Sequence, residues 1–157
     1  MNIFVLDKDP VKAAQMQGDK HVVKMILETA QLLSSVHWMN EGEAPYKLTH
    51  KNHPCAKWAR ESLSNYVWLC KHGIALCDEY TRRYKKVHKS RDAIIWCYTH
   101  PPEIENKGLT EFPLAMPDDV KTPGDPVKSY RDYYKKYKKD IVKWNHSEKP
   151  DWYETQE

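Results

Sequence analysis

The stretch DKHVVKMILETAQLLSSVH, residues 19–37, constrains the fold more than any other part of the chain. Val22, Val23, Met25, Ile26, Leu27, Ala30, Leu32 and Leu33 span most of the circumference of a helix rather than one face of it. A helix so apolar needs neighbours on several sides, which predicts a central place in a helical bundle. Across it runs a polar strip, His21, Lys24, Glu28, Gln31 and Ser35, at helical spacing. On a surface helix such a strip is a solvated face, and a Lys24–Glu28 pair would contribute about 0.2–0.5 kcal/mol. The apolar arc is too broad for that reading, so the strip is expected at the wall of a pocket. There burial would weaken the proton affinity of Lys24 and strengthen that of Glu28, while their attraction opposes both shifts.

The rest of the chain reads as one helical domain, 1–157, mainly α with a short N-terminal β element. "NIFVLD" is β-branched and aromatic and predicts a short buried strand, with "PYKLTH" at 45–50 as its partner. Pro10 starts a short helix ending near Gly18, and Asp19 caps the long one. From Pro54 to about His88 the positions Ala59, Leu63, Tyr66, Val67, Cys70, Ile74, Cys77, Tyr84 and Val87 predict one long amphipathic helix, in which Gly73 permits a bend or close packing. Residues 90–98 predict another helix, stopped by Pro101 and Pro102. Residues 101–126 hold six of the ten prolines and read as a long surface loop with room for a helical turn. Asp125 and Pro126 begin a last helix running to Trp144. The tail, 145–157, is expected to dock through Trp152 and fray beyond it.

Composition excludes several function classes. No CxxC pair exists among Cys55, Cys70, Cys77 and Cys97, so neither a zinc ribbon nor a thioredoxin motif is present, and Cys70 and Cys77 read as buried thiols. Walker A, GxGxxG, GxSxG and EF-hand signatures are absent, which disfavours P-loop hydrolysis, Rossmann redox chemistry and serine-hydrolase chemistry. With no signal peptide and no long apolar run, the expected location is cytoplasmic, away from membranes. The formal charge is only +3, yet residues 128–143 hold seven Lys or Arg against two Asp. Tyr and Trp, sixteen in all against two Phe, keep a polar tip suited to stacking and wet pockets.

Three clusters could carry chemistry. His21, Lys24 and Glu28 of the helical strip, with His53, are the candidate catalytic groups, and Gln31 the nearest candidate substrate contact. In "THKNHPCAKWARES", His50 and His53 stand at a helix N-terminus, where free N–H groups and the dipole suit an anion. His50, Asn52 and Arg60 are therefore candidate substrate contacts. His21, His50 and His53 are the alternative metal set for a divalent ion, although no cofactor is favoured. Trp68 stands off the core stripe, either packed beneath another segment or free to stack a ligand. Arg131, Lys135, Lys138 and Lys139 in the last helix could point at phosphates.

"MNIFVLDKDP", "DKHVVKMILETAQLL", "THKNHPCAKWARESLSNYVW" and "SYRDYYKKYKKDIVKW" with "KPDWY" resemble small helical proteins of marine bacteriophage type. No activity attaches to that likeness. A phage setting implies DNA or nucleotide metabolism and a host-cytoplasm location, by analogy alone. The residues favour a DNA-acting enzyme of base excision or modification, glycosylase- or lyase-like, with Glu28 as acid or base and Lys24 as a Schiff-base nucleophile. The alternatives are a metal-dependent hydrolase or oxygenase acting on a nucleotide, and a non-enzymatic nucleic-acid or host-protein binder. Convergence of His21, Lys24, Glu28, His50 and His53 on one cleft is the geometric test.

Overall fold

The computed structural model describes residues 1–153, which form a helical bundle of six helices and a 3-10 turn at Asp118–Val120. The helices are α1 (Pro10–Gln15), α2 (Asp19–Met39), α3 (Pro54–Glu61), α4 (Leu63–Tyr84), α5 (Arg91–Thr99) and α6 (Pro126–Tyr137). α4 is the hub and packs against α1, α2, α3 and α5. Gly73 lets α2 and α4 approach closely: a Cβ there would lie 2.8 Å from Thr29 Cγ2. The last expectation for the tail, fraying beyond Trp152, falls mostly on residues 154–157, outside the described residues.

The expected N-terminal β element is absent, since no described residue lies in a strand. Ile3, Phe4, Val5 and Leu6 are fully buried all the same. The segment threads between α2 and α6 as extended chain, and side chains meet its backbone where a neighbouring strand would have done so. Ile3 N–H donates to Asn2 Oδ1 at 2.8 Å, and Arg131 Nε donates to the Leu6 carbonyl at 2.9 Å. Phe4 stacks on the His21 ring with centroids 4.4 Å apart. A β-type composition here serves burial among helices, not pairing.

The long helix expected from Pro54 is two helices, broken at Ser62, whose backbone is extended. The Pro-rich segment takes up the freed groups. Leu63 N–H donates to the Glu105 carbonyl at 3.0 Å, while Ser62 Oγ donates to the Gly108 carbonyl at 2.7 Å and accepts from Lys107 N–H at 2.8 Å. That segment also covers the side of α4 that the periodicity left bare. Asn65 is fully buried and bonds Trp58 and Thr110, and Trp68 is buried against Trp58, Phe112 and His72. The 3-10 turn supplies the helical turn anticipated in this loop. α6 stops at Tyr137 rather than Trp144, which leaves Tyr137 and Ile141 exposed.

Gly18, not Asp19, occupies the N-cap position of α2. The Asp19 carboxylate faces the tail instead: it accepts from Asn145 and His146 N–H at 2.7 and 3.2 Å and pairs with Arg83 at 3.2 Å. Trp152 docks as anticipated, its indole N–H on Met16 Sδ at 3.4 Å and its ring beneath the Arg131 guanidinium. All four cysteines are free and buried.

Candidate active site

The face of α2 that bears His21 and Glu28 is covered by the chain's own first residues. Phe4 meets His21, and the Met1 α-amine lies 3.1 Å from Glu28 Oε1. The geometry is self-consistent: three extended residues and seven helical residues each span roughly 10 Å, so the segment runs antiparallel along the helix. His21, Glu28 and Ser35 are buried as a result, whereas Lys24 points outward and Gln31 is half-buried. Val23 and Leu27, expected in the core, lie exposed beside Lys24. Of the five members of the polar strip, three are buried, one is half-buried and Lys24 is on the solvent side.

Glu28 is an unusual buried carboxylate. Its Oε1 atom has no hydrogen-bond donor in good geometry among the described residues; the Met1 amine faces it, and Lys24 Nζ lies 4.0 Å from Oε2. The Met1 side chain is only 3% exposed, while the Lys24 side chain is 74% exposed. Buried acceptors are ordinarily filled by hydrogen bonds, so a carboxylate left to an amine alone retains acceptor capacity for another proton. The residue type that sequence reading assigned to this role, an amine opposite Glu28, is present. The group that occupies the buried position is Met1, not Lys24.

His53 joins this centre from the second cluster. Ser35 Oγ bonds both N–H and carbonyl of Thr49 at 3.2 Å, which lashes the segment before α3 along α2. A turn follows in which His50 has a positive φ of 50° and Arg60 Nη1 donates to the Lys51 carbonyl at 2.8 Å. His53 then caps α3, accepting the Cys55 N–H on Nδ1 at 3.0 Å. Burial lowers its proton affinity, the charges of the Met1 amine and His50 add to that, and Glu28 opposes it. His50 and Asn52 are exposed in the same turn.

Other candidates take structural duties. His21 Nδ1 is hydrogen-bonded to the Tyr134 hydroxyl at 2.6 Å, and that oxygen also receives the Gly18 N–H at 3.4 Å. Burial first, then Lys138 and Lys24, hold its pKa down to about 4, so the ring is neutral. Trp68 donates to the Lys8 carbonyl at 2.9 Å and is not free to stack a base. Arg131 is a strut between Leu6 and Trp152 rather than an open phosphate contact. Lys138 covers the Tyr133 ring, and Lys135 and Lys139 remain exposed.

The metal set is corrected as well. His21, His50 and His53 do not assemble, and among the described residues no three His, Cys, Asp or Glu side chains are grouped to hold an ion. The Tyr134 hydroxyl takes one nitrogen of His21, Thr49 engages His50, and the α3 cap takes one of His53. Cys55, near the amine, is no competing nucleophile, because burial pushes its thiol up to about 12. A groove of about 740 Å³ lined by Lys12, Arg82, Arg131 and Trp152 shares no residue with the amine–carboxylate pair.

The helical scaffold thus sets an α-amine against a carboxylate whose Oε1 lacks a well-directed donor among the described residues. The chain belongs to the pyrimidine dimer DNA glycosylase family, whose model matches residues 1–92. That stretch contains Met1, Glu28 and His53 and ends inside α5. No curated protein and no solved structure matches the chain. No described helix is long and apolar enough to cross a membrane.

The ion-pair partner of Glu28 missed by sequence reading is the α-amine, which no side-chain letter encodes. One signal pointed to it: an apolar run beginning at residue 3, which draws the terminus into the core.

Proposed function

We propose that this protein is a DNA glycosylase with lyase activity that excises pyrimidine dimers, with the Met1 α-amine as nucleophile and Glu28 as its proton partner. The observation that carries the reading is the 3.1 Å contact between the Met1 α-amine and a buried carboxylate within the family-matched region. As a class, α-amines hold their proton less tightly than lysine side chains by roughly 2.5 units, which favours an α-amine as a neutral nucleophile.

The chemistry follows from those two groups. Glu28 accepts the ammonium proton and frees the nitrogen lone pair. The nitrogen attacks C1′ of the target nucleotide as the C1′–N bond to the pyrimidine breaks; the base leaves with that electron pair and takes a proton from the substituted amine. Protonated Glu28 returns its proton to the ring oxygen, the C1′–O4′ bond opens, and a C1′ iminium joins protein and sugar. Carboxylate Glu28 then removes a C2′ proton, and the 3′ phosphate departs by β-elimination. For its C1′ to meet the amine, the target nucleotide must leave the base stack. In this reading Gln31, His50, His53 and Asn52 serve as substrate contacts, and the exposed Lys24, Lys135 and Lys139 meet phosphates.

A duplex carrying one cyclobutane pyrimidine dimer tests the reading. Wild type cleaves the strand at the dimer and leaves an undamaged duplex intact, and Glu28→Gln binds the duplex without cleaving it. A dimer-containing duplex that is bound but never cut would overturn the assignment.

A further inference from the structure

The first two residues are held by a part of the chain that lies outside the family match. Asn2 Nδ2 donates to the Ala115 carbonyl at 2.9 Å. Its Oδ1 accepts from Ile3 N–H at 2.8 Å and faces the Tyr130 hydroxyl at 3.1 Å and Cys55 Sγ at 3.7 Å. The single Tyr130 proton is shared with the Pro113 carbonyl at 2.7 Å, and the Tyr130 oxygen receives Ala115 N–H at 3.3 Å. Tyr130 itself is fully buried. Residues 113–115 are fixed through Phe112, which is buried between Trp58 and Trp68.

Glu28 is the amine's ion-pair partner, the Met1 side chain packs against the core, and Asn2 is the adjoining residue along the chain. A nucleophile displaced by about 1 Å can lose a hundred-fold in rate, so the anchor at Asn2 decides whether the amine is aligned.

We propose that Asn2, clamped by Tyr130 and the 113–115 segment, is a positioning residue that sets the Met1 amine against Glu28, which makes the last third of the chain part of the active-site machinery. This rests on the amine being the nucleophile. The clamp acts through main-chain placement and touches no reacting atom. It also explains why Asn, with both a donor and an acceptor, stands at a position flanked by the apolar run: each half of its amide is used.

Three variants test it in the full-length protein: Asn2→Leu, Tyr130→Phe and their combination. Leucine is large enough at the second position for the initiator methionine to be kept, which intact mass verifies. The readouts are the single-turnover rate of borohydride-trapped adduct on a dimer-containing duplex, DNA affinity by anisotropy, and the melting temperature. Each single variant is expected to slow trapping by ten-fold or more with affinity within about two-fold of wild type, and the pair to slow it no more than the worse single variant. Tyr130→Phe keeps the buried ring and folds if Asn2→Leu does not. Trapping at the wild-type rate, or rate and affinity falling together with the melting temperature, overturns the clamp alone. A wild type whose adduct survives an extension ahead of Met1 removes the amine reading and the clamp with it.

Discussion

Asp19 and Glu28 are both buried carboxylates on α2, and the fold treats them in opposite ways. Asp19 accepts two backbone N–H groups and pairs with Arg83, whose side chain is fully buried. Arg83 in turn fills its donors with Glu79 and the carbonyls of Gln15 and Gln17. Around Glu28 no such shell exists: one amine at 3.1 Å and one exposed lysine at 4.0 Å are its cations, and Oε1 lacks a well-directed donor. The saturated charge of Asp19 serves structure, whereas the unfilled capacity of Glu28 is what the proposed chemistry uses.

Perturbing each cluster should therefore separate activity from stability. Glu28→Gln keeps the shape and removes the proton acceptor, so the single-turnover rate should drop about a thousand-fold while the unfolding midpoint changes little. Retained activity would break the comparison at its functional end. Arg83→Ala strands Asp19 and Glu79 and should cost about 3–5 kcal/mol in urea unfolding, with the rate per folded molecule preserved. A loss below about 1 kcal/mol would show the saturated cluster to be dispensable.

Buried histidines sharpen the structural side. Burial holds both His21 and His72 at about 4, against an ordinary value of 6.5, with the Pro10 carbonyl opposing the shift at His72. Unfolding lets them bind protons more readily, so stability is full above about pH 6.5 and declines as pH falls toward 4, by a few kcal/mol for the two together. Urea midpoints at pH 7, 5 and 4 measure it, and a flat profile would contradict the burial argument. The smallest effect is expected for Lys24→Ala. Stability should change by less than about 0.5 kcal/mol, trapping should persist, and the salt slope of DNA binding should fall by about 1.

Much of the scaffold was legible in the sequence, because α1, α2, α5 and the start of α6 are set by local punctuation and periodicity. The helical strip that carries His21 and Glu28 was legible for the same reason. The N-terminal strand was misread because β-branched and aromatic residues also suit a buried extended segment flanked by helices. The break at Ser62 escaped because its bonds come from residues 105–108, distant in sequence. Trp68 and Asn65 looked outward only while the covering loop was out of view. Lys24 was named as the amine because helical spacing pairs it with Glu28; burial of residues 3–6 is what brings Met1 there. Asn2 escaped too, for its partners Ala115 and Tyr130 lie beyond residue 110.

Peptide mapping of the borohydride-reduced adduct tests the central claim most directly. The account predicts a reduced sugar remnant on the Met1 nitrogen, unaffected by Lys24→Ala and abolished by residues added ahead of Met1. A remnant on Lys24, or on any other side chain, would contradict it.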